Sequence, residues 1–123
     1  MICSIGVFRL PDDPDQVRGI DVGYLTPDQV ARHRAAGEDD YIPEVPGLVA
    51  EVVSPSESAA YINEKVADYL AGGAHLVWLV FPRTRTVQIH RAGEPIQIVS
   101  GTERLEGDPA LPGFSMALGN LFS

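Results

Sequence analysis

A mixed α/β fold, a β-sheet with helices packed on it, is what the sequence predicts, on three observations. Two strongly apolar runs, GLVAEVV at 47–53 and AHLVWLVF at 74–81, enclose a segment of helical periodicity. A helix between two buried strands implies parallel pairing through a right-handed crossover. Apolar runs joined by short turns lie before and after this unit, and such neighbours pair antiparallel. With 123 residues, 45% of them hydrophobic and 21% charged, the chain suits a single domain, 1–123, built round one core.

Taken in order, SIGVFRL at 4–10 has strand character, and the turn-forming PDDPD at 11–15 ends it. QVRGIDVGYL at 16–25 is a second run able to pair with the first as a hairpin. In TPDQVARHRAAG, Thr26 is a helix N-cap, Pro27 the first helical residue and Gln29 the far side of a capping box; Gly37 is the expected stop. EDDYIPEVP at 38–46 is an acidic loop broken by two prolines. GLVAEVV is apolar on both faces, as a central strand must be. In the helix that follows, Ile62, Val66, Tyr69 and Leu70 share one face. Its start has two solutions: Ser54-Pro55-Ser56-Glu57 matches a capping box, and Ser58 can equally cap a later start. Gly72 and Gly73 end it. AHLVWLVF is the second buried strand, with Trp78 in the core. RTVQIHR and PIQIVS alternate and are joined at Ala92, Gly93 and Glu94. The tail ALPGFSMALGNLF closes with a short helix.

Several function classes are disfavoured by composition. Seventeen acids against nine bases give a net charge of −8, which speaks against sequence-specific DNA binding by electrostatics alone. No apolar run is long enough to span a membrane. MICSIGVFRL lacks the basic start of a signal peptide. Cys3 is the only cysteine, so neither a disulfide nor a cysteine-based zinc site forms within one chain, and a cytoplasmic setting is expected. His33, His75 and His90 are too scattered to form a metal set. Ser54 and Ser56 have the character of capping residues.

Glu51 is the anomaly. A carboxylate within a core-like strand is costly unless something compensates its charge. Asp21, between Ile20 and Val22, has a similar setting. Taken singly, each is most simply a solvent-facing strand residue, and Lys65 a helix-border lysine paired with Glu64 or Asp68. Together they suggest more. Two carboxylates on neighbouring strands repel each other in a core but make a hard oxygen site suited to Mg²⁺ or Mn²⁺. Lys65, flanking the apolar stripe of its helix, can reach back toward Glu51 with its long stem.

The order VRGIDVGYL, PGLVAEVVSPSES, NEKVADYLAGGAHLVWLVFPRTRTVQIHR and LPGF resembles the Uma2 family, also called DUF820, from about Phe8 to the C-terminus. The resemblance implies a restriction-endonuclease-like, or PD-(D/E)xK, core. It implies that Asp21 and Glu51 are metal ligands, with the Val52 carbonyl completing the shell. The usual motif lysine falls at Val53, and Lys65 on the next helix takes its place; Tyr69 matches a typical family tyrosine. The expected activity is Mg²⁺- or Mn²⁺-dependent endonucleolytic hydrolysis of nucleic-acid phosphodiesters, DNA ahead of RNA. Departures from the family pattern are Ile20 for a proline, Gly47 for an acidic residue and Phe81 for an aspartate. The family's N-terminal helical segment is also missing from the front of the chain. Its absence is expected to uncover Val22, Val49 and Val77 and to favour a homodimer or a covering partner protein. The alternative reading is a truncated, catalytically inactive nuclease-fold module acting in protein association.

Overall fold

The structure, a computed structural model, describes residues 2–10, 13–36 and 44–122, with side chains over 21–32 and 44–122. The elements are β1 (Ile2–Leu10), β2 (Asp13–Tyr24), α1 (Pro27–Ala36), β3 (Leu48–Val52), α2 (Ala59–Ala71), β4 (Leu76–Phe81), β5 (Thr86–His90), β6 (Gln97–Val99), β7 (Arg104–Glu106), β8 (Ser115–Ala117) and α3 (Leu118–Leu121). Strands β1 to β6 form one sheet in chain order. Within it β3 and β4 are parallel and joined through α2, and the other neighbours are antiparallel. This is the mixed sheet the apolar runs predict. Strands β7 and β8 add a small second sheet, unanticipated because three residues are too few to display an alternation. Asp13 to Asp15, expected in a turn, already belong to β2. The predicted stop at Gly37, most of the 38–46 loop and the side chains of Cys3 and His33 lie outside the described residues.

Alternation along β3 and β4 divides the core in two. Val49, Val77 and Leu79 face α2 and pack with its Val66 and Tyr69. Leu48, Leu76 and Trp78 face the other way, joined by Val87, Ile89 and Val99 and roofed by Leu105, Ala110 and Leu118. The expected uncovered surface therefore needs correction. Val49 and Val77 are fully buried because α2 lies over them, while Val22 is partly exposed on the opposite face, where it pairs with Ala50.

The local chemistry sets each helix. Gln29 N donates to Thr26 Oγ1 at 3.3 Å and Thr26 N to Gln29 Oε1 at 3.0 Å, which is the predicted capping box of α1. Ser58 caps α2, accepting from Tyr61 N at 3.1 Å. The competing Ser54–Glu57 motif forms a turn instead, with Glu57 N donating to Ser54 O and Ser54 N to Glu57 Oε1. At the far end Gly73 adopts φ 105°. Its N–H reaches Leu70 O, and Ala74 N reaches Tyr69 O, a Schellman closure that needs a glycine there.

Candidate functional site

The site forms where β3 leaves the body of the sheet. Val22 pairs with Ala50 and Gly23 with Val49, so the same register sets Asp21 opposite Glu51. Residues opposite one another in an antiparallel pair project to the same face. Here that is the face covered by α2. Asp21 is exposed, and its Oδ2 accepts a hydrogen bond from Val52 N at 2.8 Å. Glu51, one residue earlier on β3, is only 4% exposed.

Glu51 is held from above by α2. The Tyr69 hydroxyl, itself fully buried, donates to Glu51 Oε1. One turn earlier on the same helix stands Lys65, whose charge acts on Glu51. Residues four apart share a helix face, which is why one helix presents both groups to one carboxylate. Burial raises the Glu51 pKa above its ordinary value. The Tyr69 hydrogen bond and the Lys65 charge pull it back, and the neighbouring Asp21 raises it further.

Lys65 has a partner the sequence did not single out. Its ammonium forms an ion pair with Glu57 Oε2 at 3.2 Å and lies 5.0 Å from the centre of the Tyr61 ring. Glu64 and Asp68, the pairings expected of an ordinary helix lysine, are not those found. Glu57 sits in the turn just after β3 and is steadied by Ser54 N. The signal for it was present in Ser-Pro-Ser-Glu, but as a capping motif rather than as a holder of a cation. Val53, where the resemblance places the missing motif lysine, packs against the α2-side core.

The five residues expected at the site thus come together. Asp21, Glu51 and Val52 meet across the β2–β3 boundary, and Lys65 and Tyr69 descend on them from α2. Among the described residues no cluster of three or more His, Cys, Asp or Glu side chains can hold a metal ion. A pair of carboxylates is a donor set for a hard cation that keeps water or substrate oxygens in its remaining positions, as Mg²⁺ does. Two like charges held side by side, one of them buried, fit such an ion.

At the other end of β3, Gly47 explains one departure from the family pattern. A Cβ there would meet Thr26 Cγ2 at 2.5 Å, and the Gly47 N–H donates to Gln29 Oε1 at 2.9 Å. An acidic side chain has no room at this contact. His75 and His90 lie apart from the carboxylate pair: His75 is exposed just before β4, and buried His90, the last residue of β5, faces Gln88 at 3.2 Å.

Comparison with known proteins agrees with this architecture. A solved structure from Anabaena variabilis, described as "a putative nuclease belonging to DUF820", superposes with a TM-score of 0.83 at 15% identity. The match covers 98% of this chain and 66% of the other, so the chain spans just under two thirds of that protein's length. The likeness shows a shared restriction-endonuclease-like fold. No curated protein matches the sequence. The family model Uma2, described as "Putative restriction endonuclease", matches residues 5–119. On that match over nearly its whole length, the chain belongs to the Uma2 family.

Proposed function

We propose that the protein is a metal-dependent endonuclease that hydrolyses phosphodiester bonds of nucleic acid, DNA ahead of RNA, in the cytoplasm. The observation that carries this reading is the convergence of Asp21 and Glu51 on one point against their mutual repulsion, with a lysine and a tyrosine brought to the same place. In a site with no such role, the buried carboxylate is a net cost.

Asp21, Glu51 and the Val52 carbonyl would hold Mg²⁺ or Mn²⁺. When bound, such an ion offsets charge on the phosphate and lowers the pKa of an attacking water. The remaining tasks belong to the chain. Tyr69 fixes the rotamer of Glu51 through its hydroxyl. The Val52 N–H does the same for Asp21. Lys65, mostly shielded from solvent, presents positive charge where negative charge grows on the phosphoryl oxygens. The low polarity around Glu51 strengthens each of these interactions.

The test is cleavage of plasmid, single-stranded DNA and RNA with Mn²⁺, comparing the wild type with Glu51→Gln and Asp21→Asn. Each variant is expected to lose roughly a hundredfold or more of the rate, in line with removal of a group that holds the ion or orients the reacting atoms. Equal cleavage by all three proteins refutes the reading. A second reading, an inactive module for protein association as a homodimer or with another protein, draws on Ile96 and Ile98. Both are exposed at or beside edge strand β6. It predicts no cleavage by any of the three and a dimer or complex that Ile98→Lys disrupts.

A further inference from the structure

We propose that the tight turn between β4 and β5, residues 82–85, is a phosphate-gripping arm of the nucleic-acid surface, with Arg83 and Arg85 contacting the backbone where it passes the end of the sheet that carries Glu51 and Val52. The inference rests on the nuclease reading and extends it to how an acidic chain holds a polyanion.

The position of the turn follows from register. Val52 lies beside Val80 in the parallel pair, and Val53 N donates to Val80 O at 2.9 Å. Phe81 pairs with Thr86, and Arg85 N closes the turn on Pro82 O at 3.3 Å. The turn therefore projects from the same end of the sheet as Glu51 and Val52. At one strand spacing sideways and about three residues along, it stands roughly 10–12 Å from Val52. That is about three base steps at a rise of ~3.4 Å.

The second observation is charge. Between Tyr69 and Gly93 the sequence has no acidic residue, although acids outnumber bases seventeen to nine in the whole chain. Of the other arginines whose side chains are described, Arg32 pairs with Glu44 and Arg91 with Glu94, and Arg104 is hydrogen-bonded to Ser115. Arg83 and Arg85 have no carboxylate partner among the described residues, and both are exposed. Two exposed arginines without an ion pair, on one turn of a chain of net charge −8, offer a polyanion positive charge that no described carboxylate takes up.

The third is the way Arg85 is held. It is the one non-glycine residue at positive φ among the described residues, at 55°, and its guanidinium lies 5.5 Å from the centre of the Phe122 ring. Thr84 and Arg85 border a groove of about 280 Å³ lined also by Gly101, Leu118, Gly119 and Phe122, at the same end of the sheet but on the face opposite α2. A left-handed arginine is a strained choice where glycine is the relaxed one. The Phe122 contact holds its guanidinium at the rim of that groove.

The experiment is binding of the full chain to short fluorescent single-stranded DNA, duplex DNA and RNA, with Ca²⁺ in place of Mn²⁺, across a salt series. Each lost phosphate contact flattens the slope of log K against log[salt] by about 0.7–0.9. Arg83→Gln with Arg85→Gly, the latter keeping the turn at its preferred φ, is expected to flatten it by about 1.5 on the preferred substrate. Arg83→Gln alone should give half that change, and Arg83→Lys should restore it. The shift in melting temperature produced by Mn²⁺ should be the same in all variants. An unchanged slope with intact binding overturns the assignment of the turn and leaves the nuclease reading standing. A wild type that binds none of the three nucleic acids brings down both.

Discussion

Strand β3 has a buried polar side chain at each end, and the two are treated in opposite ways. At its start, Gln29 of α1 is 6% exposed and fully partnered. Its Oε1 accepts from Thr26 N and Gly47 N, while its Nε2 donates to Val45 O at 2.7 Å and to Glu44 Oε1 at 2.9 Å. Both donors and both lone pairs of the amide are used. At the strand's end Glu51 is as deeply buried, yet it faces one hydroxyl donor, one lysine at the margin and a second carboxylate. Burial with complete satisfaction builds structure. Burial with an unbalanced charge is the arrangement that the proposed ion would complete.

If Gln29 is purely structural, its removal should be the more damaging to stability. Gln29→Ala leaves the Gly47 N–H and the Val45 carbonyl without partners, at roughly 1–3 kcal/mol each, so a loss of about 2–6 kcal/mol is expected in urea unfolding. A loss below about 1 kcal/mol would mean that water replaces the amide and that the two ends are less different than they look. Tyr69→Phe probes the other end. Losing a hydrogen bond to a charged group should cost about 1.5–3 kcal/mol at neutral pH. That cost should shrink in acid as Glu51 takes up its proton; an effect independent of pH would show that the hydroxyl does not serve the carboxylate.

The smallest expected effects are the pH dependences. The folded protein holds a proton on Glu51 more tightly than the unfolded chain, because burial raises its pKa above the ordinary 4.5. Stability of the metal-free protein should therefore fall as pH rises from about 4.5 through the folded value, and Glu51→Gln should abolish that decline. His90 behaves oppositely. Burial lowers its pKa below the ordinary 6.5, so the unfolded chain takes the proton first. Its contribution is lost as pH falls from about 6.5 through the folded value, and His90→Gln should remove that slope. Thermal melts at a series of pH values, with calcium and transition metals chelated, separate the two.

Much of this was legible in the sequence because β3, α2 and β4 carry unambiguous patterns. Two apolar runs flanking a helical stripe fix a parallel pair, and Glu51 stands out against valines. Other features depend on geometry that periodicity does not encode. That Asp21 faces Glu51 depends on register, which only the Val22–Ala50 pairing settles. Tyr69 was visible as a core residue by spacing, and as a site residue only by family resemblance, because its partner lies eighteen positions away. Gln29 declared its local role as a cap, while its long-range bonds to Val45 and Gly47 gave no sign. Glu57 was hidden in the same way by a competing local motif. The expectation that Val49 and Val77 lie bare failed because one helix suffices to cover the strands it connects.

The β1–β2 ribbon carries one mechanical consequence. Strand β2 has twelve residues, yet among the described residues only Val22, Gly23 and Tyr24 pair with β3, and the rest of its length pairs with β1 alone. Asp21 is the first residue past this short seam, so a carboxyl group sits at the fulcrum of a lever roughly 25 Å long at strand rise. A small tilt of that lever changes the gap between Asp21 and Glu51, while Glu51, Lys65 and Tyr69, all from the β3–α2 segment, keep their mutual spacing.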